Sequence, residues 1–263
     1  MKKQTARLNQ IVQYLQGEPL LSVARLAEQC DVSDVTLRRD LKQLSDEGIV
    51  HVVNGAVSLN LSTDKLRIGD KYFISQQAQK QIEEKTRIGK EAAKLLEPND
   101  TVVIDVGSTA YFFARAIPHD LPLTVICYSL NTFIELHDRE ACNVIFAGGV
   151  FRKNSLMCEG AEGISLVKRL RARKAFMGAT GVHESMGVTS SNYNEQAMKQ
   201  AAISSSLTKY LLVDSTKFGV VKTAYFADLD DFDYVITDTG ISPRYKKHIN
   251  NSGVTLIVSE NGS

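Results

Sequence analysis

The 263-residue sequence has no tryptophan, only five prolines and four cysteines, and 31 lysines and arginines set against 30 aspartates and glutamates. Each shortage excludes something. Cys30, Cys127, Cys142 and Cys158 are far apart and form no C-x-x-C pair, so neither a disulfide framework nor a zinc site is expected. No apolar run reaches the roughly 18 residues of a membrane span, and the opening Met1-Lys2-Lys3-Gln4-Thr5 leads to Arg7 and Asn9 rather than to an apolar signal core. A cytoplasmic protein with no membrane partner is expected. His51, His119, His137, His183 and His248 lack metal-ligand spacing, and no G-x-S-x-G, G-x-G-x-x-G or phosphate-loop motif occurs, so neither metal nor cofactor is implied. The net charge of +1 exerts no global pull on a polyanion, and any nucleic-acid role must rest on a local cationic face.

What is present suits a packed core: 43% hydrophobic and 23% charged residues, which argues against disordered, collagen-like and coiled-coil chains. The length fits one large domain or a small one joined to a medium one.

Leu8, Ile11, Val12 and Leu15 recur at helical spacing until Gly17-Glu18-Pro19. A second helix is expected from the N-cap candidate Ser22, with Val23, Leu26 and Ala27 facing inward. A third starts at Ser33, carries Leu37, Leu41 and Leu44 on one stripe and ends near Gly48. Val50 to Leu59, rich in β-branched residues around Asn54-Gly55, predicts a two-stranded wing. Residues 1–59 therefore form an expected winged helix-turn-helix domain, and 60–81 a linker or connecting helix.

On the third helix, Val35, Arg39 and Lys42 fall opposite Leu37, with Thr36 and Arg38 on the flanks. With Ser33 at the helix start, these six residues are the candidate DNA-reading set. Arginines can bond guanine edges or phosphates, and valine and threonine methyls can touch thymine. Within residues 1–60 seven cations meet seven acids, so one copy would bind weakly and a dimer or larger homo-oligomer is expected on double-stranded operator DNA.

Residues 82–263 alternate between apolar runs and helical stretches. Strands are expected at Thr101–Asp105, Leu123–Cys127, Asn143–Ala147, Lys174–Gly178, Tyr210–Asp214, Tyr234–Asp238 and Val254–Val258. The fold class is thus α/β, a mostly parallel sheet flanked by helices behind a small winged helix-turn-helix. Loops after parallel strands gather at one edge. There Asp105, Gly107, Ser108 and Thr109 suit a phosphate at a helix start, Ser129 and Asn131 suit sugar hydroxyls, Gly148 and Gly149 admit a ligand, and Lys217 meets its charge. An alternative is an active isomerase or deaminase using Glu195, Asp105 and Asp214 as acids with Lys217, although Glu195 also suits the first turn of a helix.

Arg7, Ile11 and Ser33-Asp34-Val35-Thr36-Leu37-Arg38-Arg39-Asp40-Leu41, followed by Leu44 and Gly48, resemble the amino-terminal signature of the DeoR family of bacterial transcriptional repressors. The wing departs from the family's usual His-Gly-Gly-Ala, reading His51-Val52-Val53-Asn54-Gly55-Ala56. Lys85, Ile88, Asp105 to Thr109, Gly148-Gly149, Gly178 to Val182, Gly187 to Thr189, Asn194-Glu195 and Asp214 to Gly219 resemble the family's sensor domain. The resemblance implies a fold similar to sugar-phosphate isomerases, a non-enzymatic repressor, Glu195 among the effector-binding residues, and a phosphorylated sugar as effector. Cys127-Tyr128-Ser129-Leu130-Asn131 and Gly181-Val182-His183 are similar to members governing deoxyribonucleoside use, which implies deoxyribose 5-phosphate.

Overall fold

A computed structural model describes residues 7–8, 10–11, 14–15, 20–46, 50–53, 55–59, 81–153 and 155–260. The chain divides into two compact units, Met1–Leu66 and Arg67–Ser263. Of the expected linker at 60–81, only Gln81 lies within the described residues.

In the first unit, helix α1 is described at residues 7–8, 10–11 and 14–15. Strand β1 (Leu20–Ser22) leads into α2 (Val23–Gln29), whose N-cap Ser22 accepts a hydrogen bond from the Arg25 amide at 3.2 Å. Helix α3 (Asp34–Asp46) is capped in the same way, Ser33 Oγ accepting from the Thr36 amide at 3.3 Å. The wing strands β2 (Val50–Val53) and β3 (Ala56–Leu59) pair antiparallel as expected. The sheet nevertheless has three strands, because β1 adds to β3 in the order β1-β3-β2. Three residues show no alternation for a sequence reading to detect; their pairing is created by the hairpin.

Ile11, Leu15, Leu26, Leu37, Leu41, Leu44 and Val57 close the core of this unit. Each such side chain contributes roughly 1.5–3 kcal/mol by leaving water, which is why a unit this small holds together. One charged group is also buried in it: Asp40 of α3 accepts a hydrogen bond from Arg7 Nε of α1. The aspartate raises the pKa of the Arg7 guanidinium, chiefly through that hydrogen bond.

The second unit opens with α4 (Ile82–Ala93) and builds a seven-stranded sheet in the order β15-β14-β12-β9-β4-β5-β6, parallel throughout. Its strands are β4 (Asp100–Ile104), β5 (Leu123–Cys127), β6 (Cys142–Phe146), β9 (Ala172–Gly178), β12 (Ser206–Leu212), β14 (Tyr234–Asp238) and β15 (Thr255–Ser259). All seven expected strands are present. Two match to the residue; β12 ends at Leu212 rather than Asp214, and the last strand starts at Thr255 rather than Val254.

The connecting helices are α5 (Ser108–Ala116), α6 (Leu130–Leu136), α7 (Ala161–Arg169), α8 (Gln196–Ser204) and α9 (Pro243–Asn251). Both faces of the sheet are covered. Val103, Ile126, Met177 and Leu211 point into one core, and their neighbours Val102, Ile104, Val125, Phe176 and Leu212 into the other. Burial on both sides turns each strand into the continuous apolar run seen in the sequence.

A hairpin of β7 (Val150–Arg152) and β8 (Met157–Glu159), and a small antiparallel sheet of β10 (Gly181–His183), β11 (Gly187–Ser190) and β13 (Ala224–Ala227), complete the unit.

Candidate DNA interface and ligand edge

Helix α3 places Leu37, Asp40, Leu41 and Leu44 inward and leaves Val35, Arg38, Arg39 and Lys42 exposed. Val35 is 79% exposed, so its methyls are free to meet a surface outside the described residues. Thr36 is half-buried and its hydroxyl lies 2.9 Å from Ser33 Oγ, so Ser33 organises the start of the helix as well as standing at its surface. The two neighbouring arginines are not equivalent. Arg38 Nε donates to Asp34 at 2.9 Å, one turn earlier, whereas Arg39 points outward beside Val35 and Lys42.

In the second unit, the parallel sheet delivers the loops that follow its strands to one edge. Gly107 is the N-cap of α5 and brings no capping side chain, so the first-turn amides of this nine-residue helix stay available to an anion. Ser108 is half-buried at the helix start and Thr109 is buried. Helices α4 and α5 both lead away from this edge, α4 into β4 and α5 out of it. They touch where Gly89 lies so close to the backbone of Phe112 that a Cβ would stand 2.6 Å from its carbonyl carbon. Lys85, one turn before Gly89, is therefore level with Ser108, one turn before Phe112.

Lys85 is only 4% exposed, and among the described residues its ammonium has neither a hydrogen bond nor an ion pair. Burial lowers its pKa; the nearby carboxylate of Asp214 works in the opposite direction, and Lys217 adds to the lowering. Lys217 is half-buried after β12, with Nζ 3.8 Å from Asp214 Oδ2. Lys85 is thus a second cation at this edge. The sequence marks it as a family position but shows no sign of its burial.

Beneath the loops lies a buried polar cluster. Asp105 is fully buried: Oδ1 accepts from the Tyr128 hydroxyl, and Oδ2 accepts from the Gly178 amide at 2.9 Å and from Lys199 Nζ. Burial and then Asp105 push the Tyr128 pKa well above its ordinary value, so the phenol stays protonated and donates. Lys199 also donates to the Gly178 carbonyl at 3.0 Å and stands 3.8 Å from Glu195. Glu195 in turn accepts from Ser190 and, at 2.6 Å, from Asn192 Nδ2.

These contacts give five of the expected ligand residues structural work within the chain or a buried position. Asp105 has no lone pair directed at solvent for a sugar hydroxyl, and it holds the loops from below. Ser129 and Asn131 are buried beneath the β7–β8 segment, where the Ser129 hydroxyl donates to Asn131 and the Asn131 amide nitrogen is left without an acceptor. Gly149, at φ +145°, is required by chain packing, because a Cβ there would meet the Glu159 carbonyl oxygen at 2.3 Å; Gly148 beside it is half-buried. Tyr128, Ser190 and Lys199 were not among the expected residues. A lysine four residues after Glu195 reads as one half of an exposed helical pair until the fold buries it.

The acids nominated for isomerisation are likewise engaged: Asp105 and Glu195 as above, and Asp214 by Thr216 and Lys217. Among the described residues no group of His, Cys, Asp and Glu is arranged to hold a metal ion, and no helix is long and apolar enough to cross a membrane. Burial pushes the Cys127 thiol up to about 12, so it is protonated at neutral pH.

A winged helix-turn-helix with an exposed cationic helix, linked to a parallel α/β unit with a polar ligand edge, defines a DNA-binding regulator with a sensor domain. Residues 7–63 match the DeoR-like helix-turn-helix domain and residues 80–239 the DeoR C terminal sensor domain. The chain belongs to the DeoR family and is a DNA-binding transcriptional repressor of that family.

It is 33% identical over 251 residues to the deoxyribose operon repressor of Escherichia coli (strain K12), covering 95% of this chain and 97% of that one. It is also 33% identical to the HTH-type transcriptional regulator GolR of Listeria innocua, over 97% and 98% of the two chains. The L-fucose operon activator of Haemophilus influenzae is 27% identical over 94% of this chain and 97% of its own. Ribose 5-phosphate isomerase A from Methanocaldococcus jannaschii aligns with 51% of this chain and 53% of its own, at 18% identity and a TM-score of 0.39.

Proposed function

We propose that this repressor binds operator half-sites as a homo-oligomer and is released by a phosphorylated sugar, with deoxyribose 5-phosphate the favoured effector. The observation that carries the sugar-phosphate reading is Lys85, a largely buried side chain with no hydrogen bond or ion pair among the described residues, level with the uncapped start of α5 and close to Lys217. Burying an unpaired ammonium costs free energy unless an anion joins it. A phosphate at the Gly107–Thr109 turn would supply that anion, accept from the first-turn amides and meet Lys217.

In this reading Gly107, Ser108, Thr109, Lys217 and Lys85 contact the ligand. Asp105, Tyr128, Glu195 and Lys199 hold the loops, and Ser129, Asn131, Gly148 and Gly149 shape the wall beside them. The choice of deoxyribose 5-phosphate rests on the E. coli relative's name together with the residues 127–131 after β5. The operator role falls to Val35, Thr36, Arg38, Arg39 and Lys42. Balanced charge in the first unit supports binding through two or more copies.

Such release requires the effector to prefer the state with low operator affinity. A coupling of roughly 1–3 kcal/mol changes that affinity about 5- to 150-fold. The test is fluorescence anisotropy on a duplex from the gene's own upstream region, titrated with deoxyribose 5-phosphate, ribose 5-phosphate, fructose phosphates and glycerol 3-phosphate. Selective loss of binding with one of them supports the proposal, and indifference to all of them refutes it.

A further inference from the structure

We propose that Gln81 couples the ligand edge to the connector that leads toward the DNA-binding unit, its side chain held by Asp214 and Thr216 of the loop that carries Lys217. This inference rests on the effector reading above and adds the contact through which occupancy would be transmitted.

Gln81 is the first described residue after the segment joining the two units, and it is the N-cap of α4. An N-cap side chain ordinarily serves its own helix. Here it makes no cap bond and instead meets the far loop, with the Thr216 hydroxyl 3.2 Å from its amide oxygen. With the amide turned so that its nitrogen faces the carboxylate, Nε2 lies 2.9 Å from Asp214 Oδ1 and 3.3 Å from Oδ2. Matching donors to acceptors selects that orientation.

Asp214 is itself buried and serves several groups at once. Its carboxylate accepts from the Thr216 amide at 3.2 Å and from the Thr216 hydroxyl, and it faces Lys217 at 3.8 Å. Lys85, one turn into α4 from Gln81, stands in the field of the same carboxylate. An anion arriving between the two lysines competes with Asp214 for both of them. Asp214 is then left with Gln81 and Thr216 as its donors, and the bond from Gln81 strengthens. The sensor unit therefore grips the end of the connector more firmly in its liganded state. Serving its own helix less well is the feature that makes Gln81 responsive.

The experiment compares full-length wild type with Gln81→Ala and Gln81→Glu. Operator binding is read by anisotropy with and without deoxyribose 5-phosphate, and effector binding by calorimetry on the same preparations. Expected are near wild-type operator affinity without effector, effector affinity within about threefold of wild type, and an effector-induced loss of operator affinity that collapses toward unity. Thermal unfolding confirms that each variant is folded. Should Gln81→Ala misfold, Thr216→Val removes the other half of the contact and is expected to reduce the response in the same direction. Variants that bind effector and release operator as fully as wild type overturn the coupling role and leave the effector reading intact. A wild type that answers to none of the phosphates overturns both.

Discussion

Lys199, in the middle of α8, ends on the carboxylate of Asp105, 94 residues earlier at the end of β4, and both side chains are buried. The ammonium also lies 5.0 Å from the centre of the Phe226 ring. One ion pair thus ties together a strand, a helix and the Gly178 turn after β9. Removing Lys199 leaves the buried Asp105 carboxylate without a cation, whereas removing Asp105 leaves Lys199 with Glu195 at 3.8 Å.

Lys199→Met is accordingly expected to destabilise the sensor unit by about 3–5 kcal/mol, and the double variant with Asp105→Asn to regain most of that loss. Chemical denaturation followed by tyrosine fluorescence reads both. Equal stability of the single variant and wild type would mean that the pair contributes nothing.

Lys85→Met has the opposite sign in the ligand-free protein. The lysine pKa is lowered by burial, so the folded state resists protonation more than the unfolded chain does. Below the lowered pKa the folded state bears the full desolvation cost. Stability rises with pH through the window from that pKa up to the ordinary value of 10.5. The variant is expected to match or exceed wild-type stability at pH 7, with the difference shrinking as pH rises, and to lose the thermal shift produced by sugar phosphate. Melting curves from pH 7 to pH 10.5 test the sign.

Ser108→Glu sets a carboxylate where the phosphate is proposed to sit. Like charges repel, so the effector should no longer release operator, even at concentrations that saturate wild type. A normal dose-response curve from this variant would move the phosphate elsewhere.

Arg39→Ala and Arg38→Ala should separate. Arg38 is tied to Asp34, while Arg39 stands between Val35 and Lys42 on the exposed face. Loss of a base-reading arginine costs about 1–3 kcal/mol and relaxes preference at one operator position, so Arg39→Ala should be the weaker binder. If Arg39 contacts only phosphate, the loss is uniform over sequences and the salt dependence of binding becomes shallower by about one unit of slope.

Arg7→Met removes one partner of buried Asp40. A hydrogen bond to a charged group is worth about 1.5–3 kcal/mol. The first unit should melt earlier and operator binding should fall, while effector binding by calorimetry stays unchanged. This accounts for the spacing of the sequence signature: its first arginine and its central aspartate are the two halves of one contact.

The fold was legible where burial is two-sided and local. Leu123–Cys127 and Tyr234–Asp238 announce themselves as apolar runs because both faces of the sheet are covered, and Leu37, Leu41 and Leu44 mark the inner face of α3 by spacing alone. The three-residue strands β1, β7, β8 and β10 were not legible, since three residues show no period. At the candidate ligand edge, loop composition points to Gly107, Ser108, Thr109 and Lys217, which the fold brings to the ends of β4 and β12. It could not show that Asp105 is buried, because a carboxylate at a strand end looks the same whether it meets solvent or Lys199. Whether Lys85 and Lys199 were surface or interior depended on which helix face met the sheet.

Because every strand of the large sheet runs the same way, the residues that would tell one metabolite from another sit in separate short stretches, each anchored by its own strand. A loop at that edge that takes no part in the core, such as the turn Ser215–Lys217, can change while the apolar scaffold stays as it is. On the proposed effector role, a change of ligand would then need a handful of substitutions and no new architecture.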